Sequence, residues 1–146
     1  MPIKGVKRVR ERLKQELKEI TDKKTHEVLW RVGMLAGGFA ANMTPVDTGF
    51  LINSQFQYIG NTAEGMQLRL GYTARYAEWV HNMPGTLKGQ PREHFGKTRE
   101  GVEFGGGTGK GKYWDPNAEP EFLRKAFEDP NNADDIYKEI VEGYKT

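Results

Sequence analysis

The stretch GGTGKGKY, Gly106 to Tyr113, comes within one position of a phosphate-binding loop of the form G-x-x-x-x-G-K-[ST]. In such a loop the glycine backbone N–H groups cradle phosphates, and the final hydroxyl ligates magnesium. Here Tyr113 takes the hydroxyl position, no strong apolar strand precedes the loop, and Asp115-Pro116 follows where a helix should start. The pattern therefore reads as a basic glycine loop rather than a nucleotide site. Glu78 and His81 have the i, i+3 spacing of a Glu/His metal pair on a helix, but a metal needs further ligands, and His26 and His94 lie in unrelated polar contexts. Arg92-Glu93-His94 with Asp47 would suit a nuclease only if the fold assembled them, and nothing in their spacing asks for that. The chain has no cysteine, so disulfides and thiol catalysis are excluded. No nucleophile–base–orienter constellation stands out. The expectation is a non-enzymatic chain with no cofactor and no metal.

One group of residues suits binding. Lys97, Arg99, Lys110 and Lys112 are interleaved with Phe95, Phe104, Tyr113 and Trp114. Cations among aromatics and glycine can hold single-stranded nucleic acid, and the same types suit an arm that orders on a protein partner. Glu93, Glu100 and Glu103 dilute the positive charge. Lys97, Arg99, Phe104, Lys110, Lys112, Tyr113 and Trp114 are thus candidate inter-subunit or partner contacts, with non-specific contact to DNA as a further expectation.

These candidates fall in residues 84–116, which hold nine glycines and no sustained periodicity beyond a brief ribbon around Val102–Phe104 and Lys112–Trp114. A loop this long within a domain is usually functional or disordered until bound. Around it the patterns are regular. Val6, Val9, Leu13, Leu17 and Ile20 are spaced 3, 4, 4 and 3, an amphipathic helix with a narrow stripe. The stripe lapses over residues 21–27 and resumes at Val28, Leu29, Val32, Leu35, Phe39 and Met43. Two helices broken near Thr21–Asp22, or one long helix with a polar waist, both fit. The second half, with Trp30, should be the better buried, and Ala36-Gly37-Gly38 should let another backbone approach.

Pro45 stops the helix, since the residue before proline leaves the α region. Asp47, Thr48 and Gly49 read as a turn. Phe50–Ile59 follows as a strand with Phe50, Ile52, Phe56 and Tyr58 on one face, aimed back at Val32, Leu35 and Phe39. Residues 60–65 are a hairpin connection, Met66–Gly71 is the second strand, and residues 73–83 form a short helix. Phe122, Leu123, Ala126 and Phe127 form an apolar helical patch, Asp129-Pro130 interrupts it, and Ile136, Ile140, Val141 and Tyr144 complete a C-terminal helical part. At 146 residues the expectation is a single domain, 1–146. Its parts are helical (1–43), hairpin and short helix (44–83), flexible glycine-rich loop (84–116) and helical again (117–146). The fold class is α+β: a long N-terminal helix packed on a small antiparallel sheet, a long Gly-rich loop and a C-terminal helix.

Net charge is only +2, but it is unevenly spread. Residues 1–31 carry ten Lys/Arg against five acids, and residues 115–146 carry nine acids against four Lys/Arg, so the two ends are +5 and −5. Such ends can attract within one chain or between copies set head to tail. The charged start has no apolar run behind it, so no signal peptide is expected, and no stretch is long and apolar enough for a membrane span.

With these elements placed, a resemblance becomes visible. Ala40 to Ser54, AANMTPVDTGFLINS, matches the A-x-x-x-[TS]-P-V-D-T-G-x-L-[RI]-x-S corner of the head–tail joining proteins of long-tailed bacteriophages. Tyr76 to His81 is similar to a second segment of that family. Pro120 to Ala126 is similar to its P-F-L-x-x-A patch, with Glu121 inserted after the proline. The resemblance spans roughly residues 28–128. It leaves the basic first helix poorly covered, and the 84–116 loop is longer than the family's. It implies a structural protein of the phage neck (tail-completion, connector or minor capsid) rather than an enzyme. The copies would form a ring, commonly a hexamer, against neighbouring neck, connector and tail proteins. The place would be the virion, after synthesis in the host cytoplasm. Two other roles remain open from the residues: a tail-terminator type virion protein, and a DNA-binding accessory protein using the basic helix and the glycine loop.

Overall fold

The computed structural model describes residues 5–46, 49–86, 88–91, 97–99, 102–103 and 115–145. Its first element is one continuous helix, α1, Val6–Met43, of 38 residues. The polar stretch 21–27 does not break it. That stretch contains no Gly or Pro, and extending an existing helix by polar residues is easy once it is nucleated. The Thr21 hydroxyl donates to the Leu17 carbonyl at 2.8 Å, and Arg31 pairs with Glu27 at 2.9 Å, so side chains support the turns on either side. At Thr44 the backbone turns extended (φ −68°, ψ 128°), as the following Pro45 requires. The Thr44 N–H still donates to the Ala40 carbonyl at 2.9 Å and its hydroxyl to the same oxygen at 2.7 Å.

After the corner the sequence expectation needs correction. Phe50–Asn53 is a single helical turn, α2, and the strand β1 begins only at Gln55, running to Thr62. It pairs antiparallel with β2, Gly65–Tyr72, in the register Gln55↔Tyr72, Gln57↔Leu70, Ile59↔Leu68. The two-residue turn Ala63-Glu64 makes the hairpin tighter than the 60–65 connection read from sequence. The face of β1 that meets α1 carries Gln55, Gln57 and Ile59, alongside Tyr72, Leu70 and Leu68 of β2. Phe56 and Tyr58 point the other way and remain 42% and 59% exposed. The aromatic face is therefore not aimed at Val32, Leu35 and Phe39. The reason lies on the helix. Gly33 and Gly37 leave its backbone bare, and Gln55 donates its amide to the Gly37 carbonyl at 3.0 Å. A methyl at residue 33 would collide with the Gln57 amide and come within 3.1 Å of Leu68 Cδ1. The close approach at the small residues is thus by glutamine side chains, while Gly38 faces open space.

A short helix α3, Ala77–His81, follows β2. Lys97–Arg99 (β3) and Val102–Glu103 (β4) pair as a small antiparallel ribbon. The ribbon partner of Val102 is thus the neighbouring segment 97–99, which closes the shorter loop, whereas Lys112–Trp114 lies outside the described residues. The C-terminal part is two helices, α4, Phe122–Glu128, and α5, Pro130–Lys145. Asp129 between them acts as a cap: its Oδ1 accepts from the Asn131 N–H at 3.0 Å, and Pro130 sits where a helix start needs no N–H.

Two groups of apolar residues hold this together. Leu51, Ala74 and Phe122 are buried with Met43, Tyr72 and Val80 against them. Along α1 the buried strip is Val28, Val32, Ala36 and Ala40 at four-residue spacing. Trp30, read from sequence as part of the better-buried half, is 50% exposed. Gly143 of α5 lies so close to Val28 that a Cβ there would sit 2.7 Å from Val28 Cγ2, and the Tyr144 hydroxyl donates to Thr25 Oγ1 at 2.8 Å. α5 therefore runs back along α1 and ends at its middle. Among the described residues no helix is long and apolar enough to cross a membrane.

Candidate interaction surface

At the corner, hydrogen bonds and packing join elements far apart in sequence. Gly49 is buried at φ 83°, a left-handed conformation that favours glycine, and its carbonyl accepts the Asn53 N–H at 3.0 Å. Pro45 is half-buried, while Asp47 and Thr48 fall outside the described residues. Thr44 Oγ1 and the Tyr72 hydroxyl are 2.7 Å apart, and Gln55 Nε2 reaches the same hydroxyl at 2.9 Å. The Tyr72 ring meets Phe122 edge-on at 5.3 Å between centroids. From the far side of the glycine loop Asp115 reaches in, accepting from the Val46 N–H at 3.1 Å and the Asn117 N–H at 2.9 Å. The Glu119 N–H donates to the Met43 carbonyl at 2.9 Å. Helix α1, the hairpin and the chain leading into α4 are thus tied at one point. Asp115, Gln55 and Tyr72 were not visible as corner residues in the sequence, because their partners lie from 17 to 69 residues away.

His81, the sequence candidate for a metal pair with Glu78, has a packing role instead. Its ring stacks edge-on against Phe122 at 5.1 Å, its Nε2 lies 3.4 Å from the Arg124 N–H, and its carbonyl accepts the Glu121 N–H at 2.8 Å. It steadies the first turn of α4. Among the described residues no three carboxylate or imidazole groups converge as a metal ion would require.

Between the C-terminal end of α1 and α4 lies an open groove of about 960 Å³, with Asn42 and Met43 on one wall and Glu121, Arg124, Lys125 and Glu128 on the other. Glu119 sits at its edge between two ammonium groups, Lys88 at 2.7 Å and Lys125 at 3.2 Å. The hydrogen bond from Lys88, then that from Lys125, holds its carboxyl below the usual range. Arg124 is spanned by Glu121 at 3.0 Å and Glu128 at 2.6 Å. Four acids (119, 121, 128 and 129) face Arg124 and Lys125 here, with Lys88 held on Glu119 at the edge, so the groove keeps an excess of one acid.

The opposite end of α1 is bare. Every residue from 5 to 23 is exposed, including Val9, Leu13 and Ile20 at 66%, 54% and 66%. Residues 6–23 thus form an arm about 27 Å long at 1.5 Å per residue, with seven Lys/Arg against four acids. The sequence foresaw this amphipathic stripe but not that the fold would leave it uncovered. Of the loop contacts expected from sequence, Lys97 and Arg99 lie on β3 with only their backbone described. Phe104, Lys110, Lys112, Tyr113 and Trp114 lie outside the described residues.

Comparison of the chain with protein-family models, with curated proteins and with solved structures finds no match.

Proposed function

We propose that the chain is a non-enzymatic structural component of a bacteriophage neck, working as a ring of copies where the tail is joined to the head. The observation that carries this reading is the coincidence of motif and architecture. The TPVDTG-type sequence that resembles the phage family falls on the corner where α1, the hairpin and the segment entering α4 are tied together. A long helix bare over its first half and a two-stranded hairpin sheet also suit a protein that finishes its surface against neighbours. The test is electron microscopy of particles made when the gene is silenced in its parent phage. Full heads and finished tails lying apart are expected, and normal infectious particles would overturn the reading.

The exposed cations of residues 6–23 favour a second reading, contact with packaged DNA. It predicts an affinity that falls steeply with salt as phosphate counterions are displaced. A flat salt dependence would remove it.

A further inference from the structure

We infer that the bare half of α1 in one copy docks into the acidic groove between α1 and α4 of a second copy. The inference deepens the ring reading by naming the two surfaces through which copies would meet.

The first observation is the arm itself. Val6, Val9, Leu13, Leu17 and Ile20 line one side of the first half of α1, where every residue from 5 to 23 is exposed. A stripe at spacing 3, 4, 4, 3 is the pattern with which one helix packs on another surface. Nucleic acid would neutralise the cations and leave this apolar stripe in water, so the stripe argues for a protein partner.

The second observation is charge. The arm bears a net +3, seven Lys/Arg against four acids, and its end is also the positive end of the helix dipole. Two such arms laid together would repel. With Lys88 counted, the groove keeps an excess of one acid, and it is bounded by the opposite end of the same helix, where the dipole is negative. Met43 and Pro116 supply apolar wall there for the first residues of the stripe. The ion pairs already in the groove leave their side chains from 35% to 63% exposed, so an incoming guanidinium can exchange with them at little cost.

The third observation is geometry. Donor arm and acceptor groove sit at the two ends of one 38-residue helix, roughly 55 Å apart. A copy cannot fill its own groove. Each copy gives one arm and receives one, which is the heterologous arrangement that closes into rings.

Because the chain has no cysteine, disulfide trapping tests this directly. Full-length Val9→Cys and Asn117→Cys proteins are mixed in equal amounts at high concentration and oxidised. The expected result is a mixed disulfide dimer that forms about tenfold faster than with Glu64→Cys, at the hairpin tip, as the second protein. Adding Arg8→Glu and Arg10→Glu to the arm should slow the mixed product about tenfold, with helix content unchanged by circular dichroism. A Val9→Cys self-dimer as the main product would overturn the inference in favour of arm-to-arm pairing. Trapping no faster than the hairpin control would overturn it outright. The trapping uses the purified chain alone, so its failure is distinct from the failure of the neck reading, which the microscopy of silenced particles decides.

Discussion

The amide of Gln55 donates to the carbonyl of Gly37, in the middle of α1, at 3.0 Å. This bond orients the sheet. A helix surface made of glycine presents backbone oxygens rather than methyl groups, and a glutamine on the strand meets that surface better than a phenylalanine does. Replacing Gln55 with Ala removes this bond and the one to the Tyr72 hydroxyl. A loss of about 1–3 kcal/mol is expected from the unmet polar groups. Tyr58→Gln, on the outer face, is expected to cost under about 0.5 kcal/mol. Chemical denaturation of the two variants checks this, and a larger loss for Tyr58→Gln would mean the faces are reversed.

Gly143 packs where a side chain would strike Val28, a stiff, 2% exposed residue. Alanine at 143 gains about 1 kcal/mol of helix propensity and loses about 1–3 kcal/mol to overpacking. A net loss near 1 kcal/mol is expected in the natural chain. In a Val28→Ala background the same substitution should become neutral or stabilising, because the space is then free. Equal effects in the two backgrounds would show that the contact does not limit the site.

Glu119 is held below its ordinary value of 4.5 by Lys88 and then Lys125. A carboxyl depressed in the folded state adds stability that is present above its unfolded value and is lost as pH falls through the lower folded value. Glu119→Gln should therefore lower the melting temperature near neutral pH, by a margin that shrinks as the solution is acidified below the carboxylate range. The pH series of melting temperatures for both proteins tests this. A margin that grows on acidification would contradict the assignment.

Gly49 is buried at φ 83° and begins the turn α2. Valine there must adopt a left-handed backbone that β-branched residues resist, at about 1–3 kcal/mol. Gly49→Val should lower the melting temperature clearly more than Gly106→Val in the glycine loop. Comparable melting temperatures would remove the special role of the corner.

Some of this was legible in the residues alone. The spacing of Val6 to Ile20 and of Val28 to Met43 is helical on either side of residues 21–27, and Pro45 has to end what precedes it. The α+β class, the hairpin partners and the breaks at Pro45 and Pro130 follow from periodicity and proline geometry, which act over a few residues. The first strand was misread because apolar–polar alternation places the apolar side inward by default. The alternation of Phe56 and Tyr58 with Gln55 and Gln57 carries no label saying which side meets the helix.

What the tertiary structure decided is which surfaces remain open. The sequence determined that α1 would have an apolar stripe on each half, by the local rule of 3.6 residues per turn. Only packing settled that α5 and the hairpin cover the half from Thr25 onward and leave Val6–Ile20 bare. Likewise the acids of residues 119–129 were plain in the sequence, but their gathering into one groove at the far end of α1 required α4 to be tied at Met43 and His81. Burial and charge clustering depend on contacts between residues far apart in the chain, and those are set when the elements close on one another.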